Sequence, residues 1–370
     1  MEHYDVIVIG GGPAGATAAR TLAEAGTRVL VLDSASFPRV KLCAGWVTPQ
    51  VWETLEIAPA DYPGTLQPFS RATLALGGRV RETRWARTVS YGILRREFDH
   101  YLLQRAEAAG AEVRTGIRVG RLRREADCWR VPVDDREVSA ARLIGAGGHQ
   151  CPVARSMDAI DPAETVVMAR ESETRLDSIQ IARITQTPGI PELIVEEDLN
   201  GYGWVFSKGN FLNVGFGCVD HGRGLNQRCK DFQQRLVRQG RLPAEIELEP
   251  FRGHAYAVRM QGARRPAGDG WLLVGDAAGL ARPLSGEGIG PAVLSARLAA
   301  SSILEATTER YPDQLAKEFG PGEPGRIGGW VGQLPRAALN GMGRVVCHQP
   351  HLRRRLVFEG AFGMRVEQQP

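Results

Sequence analysis

The chain opens on an apolar run, Val6-Ile7-Val8-Ile9, with no polar position to break it. β-Branched residues without alternation predict a parallel strand buried on both faces. From Ala16 to Ala25 helix formers take over, Gly26 suits the helix end, and Val29-Leu30-Val31-Leu32 repeats the buried-strand pattern. Tyr4 to Asp33 is thus predicted to form one strand–helix–strand unit. A strand running into a glycine turn recurs twice. Ala141–Ile144 leads into Gly145-Ala146-Gly147-Gly148, and Trp271–Val274 leads into Gly275-Asp276. Helices are predicted from Leu94 to about Ala109 and from about Pro291 to Ala306. Between about 164 and 260 the runs shorten and alternate, as in Thr165–Ala169 and Phe211–Gly215, which predicts antiparallel strands. Glycine and proline punctuate 320–329, and the remainder reads as mixed apolar and basic helix.

Composition narrows the class. In 370 residues, hydrophobic content of 43% and charged content of 24% suit an ordinary globular protein with a large core. A net charge of +4 implies no nucleic-acid partner. The six cysteines are scattered with no CxxC pair, so neither a metal site nor a disulfide framework is indicated. Only Met1–His3 precede the first strand and no apolar run is long enough to span a bilayer, so a cytoplasmic protein is expected. Peripheral contact with a membrane stays open. Arg353, Arg354 and Arg355 form the clearest local charge excess. They read either as a solvated helix face or as a contact for an anionic lipid or diphosphate headgroup.

The loop after the first strand carries the chemistry. Gly10, Gly12 and Gly15 satisfy G-x-G-x-x-G, with Pro13 and Ala14 between the last two. The first glycine allows the tight turn, the second lets backbone approach a pyrophosphate, and the third lets helix pack on strand. Free N–H groups at the helix start would meet the phosphates. Asp33, followed by Ser34, ends the second strand where a carboxylate should receive ribose hydroxyls. Strand, loop, helix, strand and acid in that order predict a dinucleotide site.

The downstream segment identifies the dinucleotide. Gly275-Asp276, then Pro283 to Gly290 and the Ala/Leu-rich helix, resembles the second FAD motif of the flavoproteins that include aromatic hydroxylases, halogenases and geranylgeranyl reductases. The resemblance implies that Asp276 bonds the ribityl chain. It also implies that Pro283, Gly286, Gly288 and Ile289 bring a helix N-terminus beside the flavin pyrimidine, where a positive dipole end would stabilise reduced flavin. Leu94-Arg95-Arg96-Glu97-Phe98-Asp99 resembles the family's R-x-x-F-D segment and implies that Arg95 lies near the cofactor; an exposed helix-start arginine is the alternative. Gly147 stands where that family's G-A-D-G motif has Asp. The fold implied is α/β, a Rossmann-like FAD-binding domain from 1–70, 95–155 and 262–315. A mainly antiparallel β-sheet substrate domain would come from 71–94 and 156–261, and a helical C-terminal segment from 316–370.

Two further stretches resemble the geranylgeranyl reductase group. Pro38-Arg39-Val40-Lys41-Leu42-Cys43-Ala44-Gly45 is similar to its P-R-x-K-x-C-G-G loop, with Ala44 for the first Gly. The resemblance implies that Lys41, Cys43 and Ala44 pass the flavin and that Cys43 faces the substrate. Tyr202-Gly203-Trp204-Val205-Phe206-Ser207-Lys208-Gly209, followed by Asn213-Val214-Gly215, is similar to its Y-x-W-x-F-P-K-G…N-V-G motif, with Ser207 for Pro. Tyr202, Trp204 and Phe206 share one strand face. That face, with Lys208, would line a cavity for a prenyl chain, or else be ordinary sheet core. Cys43 is either a proton donor or an inert thiol, and His149 and His254 read as structural. The function implied is an ene-reductase that saturates isoprenoid C=C bonds. A monooxygenase or halogenase of the same fold, and a flavin-binding electron-transfer partner, are the alternatives. With no second G-x-G-x-x-G, NAD(P)H would dock transiently, or a protein such as reduced ferredoxin would deliver electrons.

Overall fold

The computed structural model describes residues 2–162, 164, 166–184, 189–197, 199, 201–218, 224–259, 264–320 and 336–364, with backbone alone for 336–340. Thr165 and most of the Gly/Pro-punctuated stretch therefore lie outside the described residues.

The three predicted strand-to-glycine segments lie side by side in one sheet. Strand Glu2–Ile9 sits between Val29–Asp33 and Arg136–Gly145, parallel to both. Glu112–Thr115 extends one side and Trp271–Leu273 the other, again in parallel. Parallel pairing explains the missing alternation. Val6, Ile7, Val8, Leu30, Val31, Leu143 and Ile144 are all buried because helices cover the sheet. Helix Pro13–Glu24 packs against both Arg95–Ala108 and Ile289–Leu304. Their contact faces are built of small residues, including Ala16, Ala19, Ala292 and Ala296, all buried.

The second sheet has seven strands. Arg252–Ala257, Val166–Arg175, Phe211–Cys218, Gly201–Lys208 and Glu192–Val195 pair antiparallel in that order. Arg71–Leu76 then joins Glu192–Val195 in parallel, and Arg79–Arg84 closes the edge. One face packs on helix Leu225–Arg238 through Phe216, Phe232 and Leu236. The other face, with Trp204 and Phe206, looks toward the Cys43 loop and the Ser285–Ile289 turn. A small third sheet, Trp46–Val47, Ser90–Ile93 and Leu66–Phe69, fills the junction.

The C-terminal segment corrects one expectation. Arg353 is not on a solvated face: it is 4% exposed. It donates to Thr83 Oγ1 at 2.9 Å and to the Cys347 and Glu82 carbonyls at 2.7 and 3.0 Å. A run of three arginines looked uniform, but a helical turn sends neighbouring side chains in different directions. Arg354 instead pairs with Glu359 at 2.7 Å. Among the described residues no helix is long and apolar enough to cross a membrane.

Candidate functional site

The nucleotide cradle is built by close approach. A Cβ at Gly10 would lie 2.3 Å from the Ala146 carbonyl oxygen, and Gly10 has φ of +115°. A Cβ at Gly15 would lie 1.7 Å from the Gly10 oxygen. At Gly12 the nearest atom to such a Cβ is the Arg39 guanidinium, 3.4 Å away, so this turn faces open space bordered by a cation. Helix Pro13–Glu24 begins after Gly12 without a side-chain cap, which leaves its first N–H groups for an anion. Asp33 is held from below: Oδ2 accepts from Gly11 N–H at 2.6 Å and Oδ1 from Ala35 N–H at 2.8 Å. These features fit a bound pyrophosphate with an adjoining ribose. Ser34 beside them is exposed.

The second turn is locked in place. Gly275 N–H donates to Ser295 Oγ at 2.9 Å, and Tyr311 donates to the Leu273 carbonyl at 2.8 Å. Gly275 has φ of +58° and lies against Ala14 and Ala292, which brings both motif helices to one point. Burial raises the Asp276 carboxyl, and the charges of Lys41, Arg95, His149 and Arg264 oppose that rise. The N-terminus of helix Ile289–Leu304 is already partly used, because Gly290 N–H donates to Glu287 Oε1. Glu287, itself pushed up by burial, pairs with Arg282 at 3.0 Å. Pro283 is exposed and lies off the recess described below.

Arg95 is buried, which excludes the exposed alternative. It grips Asp99 through two hydrogen bonds of 2.6 and 2.7 Å, and Arg39 approaches the same carboxylate at 3.0 Å. Its charge also bears on the Cys43 thiol and on His254. The Cys43 loop is thus set between a buried cation and the second sheet.

A recess of about 680 Å³, partly open to solvent, lies between the second sheet, the Cys43 loop and the Ser285–Ile289 turn. Cys43, Ala44, Tyr202, Trp204 and Phe206 line it, together with Gly286, Gly288 and Ile289 of the second FAD motif. Tyr202 donates to the Ser285 carbonyl, and Trp204 donates to Asn213 Oδ1 at 2.6 Å. The walls are mainly aromatic: Trp46 packs edge-on against Phe206 and Phe69 and leans on Phe362.

Lys208 is placed differently from its neighbours. It is fully buried, pairs with Glu173, and donates to the Ala44 carbonyl at 3.1 Å, and it is not among the recess-lining residues. It therefore ties the second sheet to the Cys43 loop. Lys208→Met protein is expected to lose about 1–3 kcal/mol of stability, because the Ala44 carbonyl would be left without its partner. Urea unfolding measures this.

Several members of the site gave little signal in the sequence. His254 lines the recess and is pushed down to about 3, chiefly by burial and then by Lys41 and Arg95, so it stays neutral. Tyr256 lines it too, its hydroxyl seated where a Gly286 side chain would be. Phe362 reaches the recess from the C-terminal segment. Arg264, 1% exposed, holds Glu164 through bonds of 2.7 and 2.8 Å, and also the His149 carbonyl and ring at 3.0 Å and the Ala277 carbonyl at 3.3 Å. It anchors the Gly275–Ala278 turn to the rest of the protein.

Comparison with known proteins agrees with this geometry. A family model described as an FAD binding domain matches residues 3–320. Digeranylgeranylglycerophospholipid reductase 1 of Methanopyrus kandleri is 32% identical, over 86% of this chain and 87% of its own. The menaquinone reductase of Mycobacterium tuberculosis is 32% identical, over 87% of this chain and 82% of its own. Among solved structures, a geranylgeranyl bacteriochlorophyll reductase-like protein of Thermoplasma acidophilum superposes with a TM-score of 0.80 at 22% identity, covering 98% of each chain. With its paired nucleotide motifs and the facing sheet, the chain belongs to the FAD binding domain family and is an FAD-dependent oxidoreductase of the geranylgeranyl reductase-like type.

Proposed function

We propose that this protein saturates an isoprenoid carbon–carbon double bond inside the aromatic recess. One observation carries the reading: the second FAD motif and the Tyr202–Phe206 strand line the same space. FAD in its reduced form supplies a hydride equivalent. The chain's part is to hold the alkene and to supply a proton to its second carbon. Gly10, Gly12, Gly15 and Asp33 would hold the nucleotide half of FAD, and Asp276 with Gly286–Ile289 the other half. Arg95 and Lys41 would set positive charge beside it. Trp46, Trp204, Phe206 and Phe362 would exclude water from a prenyl chain, and their ring faces would ease positive charge building on an alkene carbon during protonation. Cys43 stands on the wall as the group that would touch the substrate.

A prenyl substrate is also what the relatives' names suggest, since the reductases from M. kandleri and M. tuberculosis are named for a prenyl lipid and for menaquinone. Electrons would come from NAD(P)H docking transiently or from a reduced ferredoxin. The test is to reduce the protein chemically, add a prenyl diphosphate, a prenylated glycerol lipid or menaquinone with and without oxygen, and weigh the products. A gain of two hydrogens supports the reading. A gain of oxygen or halogen, or no change with any substrate, overturns it.

A further inference from the structure

Saturating a double bond consumes a proton each turnover, and few recess-lining groups can release one near neutral pH. His254 is held neutral by burial. Tyr202 and Tyr256 are pushed up by burial, further from releasing a proton. Glu287 is engaged by Arg282 and by Gly290 N–H.

Glu171 lies just behind the wall. It is 1% exposed, and neither carboxyl oxygen makes a hydrogen bond of ordinary geometry although the Cys43 amide lies near, a costly state for an ionised group. On strand Val166–Arg175 it shares a face with Ala169, which lines the recess, and with Glu173, which pairs with Lys208. In register it stands beside Gly215, which in turn stands beside Trp204. The absent side chain at Gly215 lets the Trp204 ring lie across the row, since a Cβ there would meet the ring at 2.1 Å. Glu171 is thus at the floor of the aromatic wall, with the Cys43 backbone close enough to favour its charged form.

We propose that Glu171 is the proton store of this recess, a carboxylic acid that passes its proton through the Cys43 thiol to the substrate carbon that receives no hydride. The proposal rests on the ene-reductase reading above. In balance, one alkene carbon would take up two electrons and one hydrogen, the hydride equivalent that bound FAD would supply on passing from its reduced to its oxidised form. A C–H bond forms at the other carbon as the Cys43 S–H bond breaks. The thiol regains its proton as the Glu171 O–H bond breaks, and water returns one proton to the carboxylate before the next turnover. Cys43 is the group that touches substrate; Glu171 acts through it.

The charged surroundings agree. Burial raises Glu171 to about 7 and Glu173 adds to the rise, while Lys208, the Cys43 amide and Arg95 oppose it. On the neighbouring strand Arg252 stands beside Glu171 in register and His254 beside Ala169, with Tyr256, whose ionisation Glu171 disfavours, further along. An acid poised there can both give and regain a proton at neutral pH.

Two measurements on wild type and Glu171→Gln test this. Infrared difference spectra of the oxidised holoprotein should show a protonated carboxyl band that fades as pH rises through about 7 and is missing from the variant. Single-turnover reduction of a prenyl diphosphate by chemically reduced holoprotein should slow on the alkaline side of the same pH. In Glu171→Gln that limb should vanish and the rate fall by about 10²-fold or more, with KM and bound FAD unchanged. Glu171→Asp should recover part of the rate. An active wild type whose carboxyl band survives in Glu171→Gln, or a variant keeping the wild-type rate and pH limb, overturns the role of Glu171 alone. A wild type that saturates no prenyl substrate overturns the reaction itself, and the proton delivery with it.

Discussion

Gly15→Ala protein is expected to purify colourless, without FAD. The added Cβ would sit 1.7 Å from the Gly10 carbonyl oxygen and 3.2 Å from the Ala146 side chain. The first obstruction is backbone, so no rotamer change can relieve it. Either helix Pro13–Glu24 moves away from strand Glu2–Ile9, or the turn at Gly10 opens. Both displace the N–H groups that would meet the pyrophosphate. The cost should exceed the ~1–3 kcal/mol typical of overpacking a side-chain core, since backbone cannot swing aside. Gly12→Ala is the informative control. Its Cβ meets only an arginine tip at 3.4 Å, so the fold should survive and only the approach of the cofactor should suffer. Flavin absorbance of purified protein and a thermal melt measure both. A yellow Gly15→Ala protein with wild-type stability would contradict the account.

The second large effect is expected at Arg264. Arg264→Met should cost about 3–5 kcal/mol, because it strands the Glu164 carboxylate, only 9% exposed, without its cation. The same change releases the His149 and Ala277 carbonyls, so the Gly275–Ala278 turn loses its tether. FAD affinity should therefore fall together with stability. Adding Glu164→Gln removes the stranded charge. The double variant should regain much of the stability and little of the affinity, because the tether is still missing. Urea unfolding and flavin titration of the single and double variants separate the two contributions. Equal recovery of both would mean that Arg264 serves only to neutralise Glu164.

The parts of this protein legible in the sequence are those whose chemistry is local. Gly10, Gly12, Gly15 and Asp33 lie on one strand–turn–helix–strand unit, and their spacing is dictated by geometry within that unit. The helix predicted from Pro291 to Ala306 and the one observed, Ile289–Leu304, agree because its Ala/Leu content leaves little alternative. Segments that owe their place to distant partners were not legible. Arg353 looked like one of three surface arginines until Thr83 and the Glu82 carbonyl came to meet it from an edge strand. Lys208 looked like a cavity residue by its alternation with Phe206, yet Ala44 and Glu173 claim its ammonium group. Arg264 and Glu164 are a hundred residues apart and carry no motif at all.

The two FAD motifs, and with them the cofactor, follow from the sequence alone, because a pyrophosphate-binding turn requires particular residues at particular spacings. Which groups share the space around the flavin was decided only by the tertiary structure. The parallel sheet brings Gly10 and Gly275 to the same end, on strands separated only by Arg136–Gly145. The antiparallel sheet then brings Tyr202, Trp204 and Phe206 into one recess with Gly286–Ile289, with His254, Tyr256 and Phe362 filling in from strands and a tail far away in the chain. Glu171 shows the division most plainly. As a glutamate on an alternating strand it has no distinguishing mark in the sequence. Only burial beside the Cys43 loop, with no well-formed hydrogen bond to its carboxyl, gives it an acidity suited to handing over a proton at neutral pH.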